Sequence, residues 1–144
     1  MKLYHHDLKI ELDDTWWAEA GMEGFVPLTR AYLVDIKAAK GREPFEIRID
    51  EVKPVRRNPG VGIFNDNDEA SARDRVVSIL RGFRTGSAIP PVEVVFEPAG
   101  SDFLYKLVAG AHRFYCSLAA GFTHVWAVKG FDINTWTDEG EPSF

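Results

Sequence analysis

The chain has one cysteine, Cys116, among 144 residues, which excludes an intramolecular disulfide and a cysteine-cluster metal site. It has no apolar run approaching the ~20 residues that a membrane-spanning helix needs, so no membrane partner is expected. The opening segment, Met1-Lys2-Leu3-Tyr4-His5-His6-Asp7, is too polar to begin a secretory signal, and the expected location is cytoplasmic. Basic charge is scarce. Against 22 Asp and Glu stand 17 Lys and Arg, and the net charge of −5 gives no general attraction to nucleic acid or acidic membranes. A local basic cluster does exist at Lys53, Arg56 and Arg57. A Walker-type lysine loop, a Rossmann fingerprint and the order signature of a Ser-His-Asp triad are all missing. So are internal repeats and low-complexity segments.

With 45% hydrophobic and 27% charged residues, the chain fits one globular domain with a proper core. Residues 8–12 alternate, with Leu8, Ile10 and Leu12 apolar, as a half-buried strand does. Asp13-Asp14-Thr15 reads as a turn, and Trp16-Trp17 needs a packing partner. Residues 31–36 are a second apolar stretch, open to either helix or strand, and Phe45-Glu-Ile-Arg-Ile alternates again as a strand. Lys53 to Asp68 holds two prolines, two glycines, three asparagines and two aspartates, a loop composition. Glu69 to Arg84 reads as a helix in which Ala72, Val76, Ile79, Leu80 and Phe83 recur at spacings of three and four. Ser71, Arg75, Ser78 and Arg81 fall off that stripe. Val92–Phe96 and Phe103–Val108 read as a hairpin, residues 112–120 as a helix closed by Gly121, and Val125–Val128 as a last strand. Residues 131–144 read as an acidic tail.

The most informative segment is Leu107-Val-Ala-Gly-Ala-His-Arg-Phe114. An apolar run ends in Gly110, a basic His112-Arg113 pair follows, and a stretch with no helix breaker begins. This strand–turn–helix pattern sets two basic side chains at a helix N-terminus, where free backbone N–H groups and the helix dipole favour an anion. Gly110 permits a backbone conformation, or a close ligand approach, that a Cβ would obstruct. Phosphate is the first ligand to suspect. The alternative is a capped turn whose His and Arg face solvent.

The order of elements, the basic-proline segment Ile49-Asp-Glu-Val-Lys-Pro-Val-Arg-Arg57, the 69–84 helix, Ile89-Pro-Pro-Val-Glu-Val94, the hairpin and Gly110-Ala-His-Arg113 together resemble the ParB/sulfiredoxin superfamily over residues 47 to about 128. Sulfiredoxins look nearer than the chromosome-partitioning branch. Their lysine with a serine three residues on, double proline and Gly-Cys-His-Arg are similar to Arg75 and Ser78, Pro90-Pro91 and Gly110-Ala111-His112-Arg113. The resemblance implies an α+β fold, a small mixed sheet with two or three helices, over residues 47–130. Residues 1–46 would be a strand-containing extension packed on that core.

The resemblance further implies that the Gly110-Ala111-His112-Arg113 turn and the preceding helix grip nucleotide phosphates. His112 and Arg113 would be the phosphate ligands and the candidate catalytic groups, stabilising phosphoryl oxygens. Arg75 would replace the family lysine, Ser78 would donate a hydroxyl, and Lys53 would correspond to the basic residue at the end of the first strand. Arg75 and Ser78, three apart, share one helix face, and the planar fork of arginine suits phosphate.

One departure decides the chemistry. Sulfiredoxin needs a thiolate where this chain has Ala111, and a methyl group cannot be a nucleophile. Cys116 is five residues further on, a helical rotation of about 140° and a rise of about 7.5 Å, which turns its sulfur away. Peroxiredoxin repair is therefore not expected. His5-His6-Asp7 reads as a solvent-exposed terminal segment with no spaced third ligand, so no resident metal site is expected there. Asp66, Asp68 and Glu69 precede a helix. They read as acidic residues of its N-terminus, or as ligands of Mg²⁺ held against a nucleoside triphosphate. The expected function is nucleotide phosphate binding, with or without NTP hydrolysis or phosphoryl transfer. Two alternatives stand beside it: a DNA-associated ParB-like module with nuclease or partition-related activity, and a non-catalytic domain that binds a partner protein.

Overall fold

In the computed structural model the described residues are 1–55, 64 and 69–130, the side chains of 69 and 70 excepted. The expected features at Arg56, Arg57, Asn65, Asp66, Asn67, Asp68, the Glu69 side chain and the 131–144 tail lie outside them. Among the described residues the chain is mixed α+β, with three α-helices, a five-stranded sheet and a two-stranded one.

Ala72, Val76, Leu80 and Phe83 of the expected stripe are buried along α2 (Glu69–Thr85), joined by Val77, whereas Ile79 is only half-buried and lines the cleft described below. That stripe packs on α3 (Ala111–Ala120), whose Phe114, Tyr115, Cys116 and Ser117 are fully buried. Gly121 closes α3 in the left-handed conformation, φ 96°, and its N–H returns to the Leu118 carbonyl at 3.2 Å. The sheet beneath is built from β3 (Phe45–Arg48), β4 (Val52–Lys53), β5 (Val92–Phe96), β6 (Tyr105–Ala109) and β7 (His124–Lys129) in the order β3-β7-β5-β6-β4. Pairing alternates: β3/β7 and β5/β6 are antiparallel, β5/β7 and β4/β6 parallel.

Connectivity forces this sheet to curl. β3 and β4 are its two opposite edges, and only the 3₁₀ turn Ile49–Glu51 separates them. Four inter-strand spacings would hold the edges of a flat sheet about 19 Å apart. Four Cα steps, Arg48 to Val52, reach at most about 14 Å. The curl brings Phe45 of the first edge onto Phe96 and Tyr105, with ring centroids 6.3 Å apart in both pairs.

The first 46 residues add a hairpin, β1 (Lys2–His5) with β2 (Leu8–Glu11), and a short helix α1 (Asp14–Glu19) capped by the Asp13 carboxylate, which accepts from the Thr15 N–H. Trp16 finds its partner in the common core. Helix α1 docks on α2 through arginines. Arg73 pairs with Glu19, and Arg81 and Arg84 donate to the Glu19 and Ala20 carbonyls at 3.2 Å, satisfying the orphan acceptors of the α1 C-terminus.

His5 corrects the view of the His5-His6 pair as a solvent-exposed terminal segment. His6 is exposed, whereas His5 is only 2% exposed and faces the core. Its Nε2 lies 3.1 Å from the Ile49 carbonyl, which can only accept, so the proton is on Nε2. Nδ1 therefore accepts from the Tyr115 hydroxyl at 2.9 Å, and that oxygen accepts from the Val55 N–H at 3.1 Å. The neutral ring satisfies both of its nitrogens in these bonds. Burial holds the His5 pKa below its ordinary value, against weaker opposing help from the Ile49 carbonyl. The unfolded chain therefore binds this proton first, and stability present above about pH 6.5 is lost as pH falls through that value. Urea midpoints should be level between pH 8 and 7 and drop by pH 5.5, before the depressed carboxyls of Asp13 and Asp50 begin to protonate. Equal midpoints at pH 7.5 and 5.5 would rule out the buried neutral ring.

Candidate functional site

Strand β6 runs straight into α3 through Gly110, whose φ of 92° and ψ of 30° lie in the left-handed region. A Cβ there would sit 3.0 Å from Val92 Cγ1 and 3.2 Å from the Val92 main chain, so the turn is specified by space as well as by handedness. The first intrahelical bond joins the Phe114 N–H to the Gly110 carbonyl at 2.9 Å, leaving the N–H groups of residues 111–113 without an intrahelical acceptor. Among the described residues no side chain caps this end, whereas Asp13 caps α1. The positive end of the α3 dipole is therefore not neutralised by a capping side chain.

A cleft of about 790 Å³ opens in front of this terminus, between α2 and the segment that leads into β5. Its described lining includes Arg75, Ser78, Arg81, Gly82, Thr85 and Ser87 on one side and Gly110, Ala111, His112 and Arg113 on the other. Ile79, Ile89 and Pro90 supply an apolar wall. Arg75, Ser78 and Arg81 are exposed on α2, as expected for residues off the buried stripe. Gly82 sits within the helix, where glycine costs about 0.5–1 kcal/mol relative to alanine. A Cβ there would come 3.0 Å from Ile89 Cδ1, so the glycine keeps the cleft wall in place.

Six of the seven residues singled out from the sequence thus meet in one cleft: Arg75, Ser78, Gly110, Ala111, His112 and Arg113. Lys53 does not join them. Strand β4 pairs with β6 and sets Lys53 beside Lys106, short of the Gly110 turn, where its ammonium lies 3.7 Å from Glu97. Arg81, Thr85 and Ser87 are cleft residues that the motifs did not single out. For Arg81 the signal was available, because it lies three residues beyond Ser78 on the same helix face.

Arg113 is half-buried and donates through Nη2 to the Pro91 carbonyl at 3.2 Å. Its Nε is buried and finds no acceptor among the described residues. The His112 ring stacks on Phe64, with centroids 6.0 Å apart and planes 22° apart. Cys116 is fully buried on the inward side of α3, and burial pushes its thiol pKa well above the ordinary value. It is a small packing group rather than a nucleophile. Cys116→Ser should lower unfolding free energy by about 1–3 kcal/mol, the cost of a poorly partnered buried hydroxyl, and leave anion affinity unchanged. Paired urea and calorimetric titrations separate the two effects.

No protein-family model, no curated protein and no solved structure matches this chain.

Proposed function

We propose that the cleft binds the phosphates of a nucleotide. One observation carries this reading. In a chain of net charge −5, the described lining contains three arginines and a histidine but no carboxylate, set before an uncapped helix N-terminus. Phosphate oxygens would accept from the 111–113 N–H groups, from the Arg113 fork and from Arg75, with Ser78 adding a hydroxyl, while Arg81, tied to the Glu19 carbonyl, adds positive charge to the wall. The volume suits a small molecule, and the apolar wall of Ile79, Ile89 and Pro90 gives a base or sugar something to lie against.

The element order β4-α2-β5-β6-α3-β7 supports the ParB/sulfiredoxin-like reading of residues 47–130. Electrostatic stabilisation of phosphoryl oxygens by His112, Arg113 and Arg75 would serve hydrolysis or phosphoryl transfer. The described lining offers no carboxylate as a general base, so no proton-transfer step is assigned. Mg²⁺ is usually held by one or two carboxylates together with phosphate oxygens, and the described lining supplies none, so no step is assigned to it. Helix α2 argues against a DNA-associated role. Arg73, Arg81 and Arg84, which would meet a phosphate backbone along α2, are engaged with α1.

A thermal-shift series with ATP, ADP, CTP, GTP and short DNA, each with and without Mg²⁺, tests the reading. A nucleotide at 100 times its dissociation constant should add about 2.7 kcal/mol of stability. A shift with DNA alone would select the nucleic-acid alternative, and no shift with any compound would leave the interaction-domain alternative.

A further inference from the structure

The rim of the cleft at Pro90-Pro91 has an unusual problem of attachment. Neither residue has an N–H, so the rim cannot be tied down by donating to a neighbouring strand. Its carbonyls are held instead. The Pro91 carbonyl takes the Arg113 guanidinium at 3.2 Å, and the Pro90 carbonyl takes the Tyr32 hydroxyl at 2.7 Å.

Tyr32 comes from residues 1–46, outside the part of the chain that carries the phosphate motifs. It belongs to a strap that runs beside the rim. The Ile89 N–H donates to the Leu33 carbonyl and the Asp35 N–H to the Ile89 carbonyl, both at 2.9 Å, a parallel bridge between Val34 and Ile89. The strap is fixed at its other end by the Thr123 and His124 N–H groups, which both donate to the Arg30 carbonyl. The Tyr32 ring is itself immobilised, 3% exposed and stacked on Phe83 of α2 with centroids 5.5 Å apart. Burial raises the phenol pKa and the nearby Arg113 cation lowers it by less, so the hydroxyl remains a neutral donor at working pH.

We propose that Tyr32 is a positioning residue for the anion site: it holds the Pro90 carbonyl, and with it the Pro91 carbonyl on which the Arg113 guanidinium is braced. The strap thereby gives the N-terminal extension a part in ligand binding without touching ligand. The proposal rests on the phosphate reading of the cleft, but the position of Arg113 is measurable without any ligand.

Tyr32→Phe removes one hydroxyl and keeps the ring on Phe83. Two measurements on the full chain decide the matter. In the first, the Arg113 Nε–H signal is followed by NMR without ligand. It should be resolved and slow to exchange in the parent protein and should move toward free arginine in Tyr32→Phe. In the second, inorganic pyrophosphate is titrated calorimetrically into the parent, Tyr32→Phe, Arg113→Ala and the double variant. Tyr32→Phe should weaken binding about three- to tenfold in the parent, in line with one lost hydrogen bond, and have no effect in the Arg113→Ala background. An equal factor in both backgrounds would overturn the proposal, because Tyr32 would then act independently of Arg113. An unchanged Nε–H signal would overturn it as well. If pyrophosphate fails to bind the parent while Tyr32→Phe still releases the Nε–H, the phosphate reading falls and the bracing of Arg113 by Tyr32 stands.

Discussion

Arg113→Ala should weaken binding of the preferred nucleotide by roughly 1.5–3 kcal/mol, the range for hydrogen bonds to a charged group, or about 10- to 150-fold. The side chain is half-buried at the α3 N-terminus, where water competes less for the guanidinium than it does on the open face of α2. Arg75→Ala should act in the same direction by a smaller amount, since Arg75 is exposed on that face and screened by solvent ions. Arg113→Lys should fall between parent and alanine, because it keeps the charge and loses the fork. The fold should survive all three, as Arg113 makes one 3.2 Å bond to a rim carbonyl and contributes nothing to the apolar core. Calorimetric titration with a urea melt of each variant checks affinity and stability together. Full affinity in Arg113→Ala would place the phosphates elsewhere in the cleft or outside it.

Structure that is written within a dozen residues was legible in the sequence. The α2 stripe, the β5/β6 hairpin, the α3 helix and its Gly121 cap each follow from local spacing or from one residue type in one conformation. Strand β1 was not legible. Its inward positions are Leu3 and His5, and a buried histidine reads as polar until its partners at Ile49 and Tyr115, 44 and 110 residues away, are known. The 31–36 stretch was ambiguous for a related reason. It is a strap held by a bridge to Ile89 that passes at Ile36 into a 3₁₀ turn, Ile36–Ala39, and nothing in its own composition specifies Ile89.

The candidate site divides in the same way. The glycine turn and the α2 face could be read because each is a local periodicity or a local breaker, and the fold brings the two together in one cleft. Lys53 was placed by analogy along the chain, and the register of β4 on β6 sets it beside Lys106 and against Glu97 rather than in the cleft. Tyr32 could not have been found from the sequence. Its contact with Pro90 spans 58 residues, and a tyrosine in an apolar stretch is ordinarily a core residue.

Gly110→Ala should be the most damaging single-methyl change in the site, lowering unfolding free energy by about 2–4 kcal/mol through left-handed strain and overpacking together. The two contributions can be separated within this chain. Gly100 has nearly the same φ, 90° against 92°, and a Cβ there would meet nothing within 4 Å. Gly100→Ala therefore measures the handedness alone, about 1–2 kcal/mol. At Gly110 the new methyl would also press on Val92, which is fully buried in the central strand β5 and whose main chain cannot yield without moving the sheet. It would lie 2.9 Å from Arg113 Nη2 as well, and that flexible end is the cheaper one to displace. Affinity for phosphate should therefore fall along with stability, whereas Gly100→Ala should leave affinity unchanged. Equal losses of stability in the two variants would mean that handedness alone selects glycine at 110, and that the close approach of Val92 and Arg113 to this turn exerts no constraint.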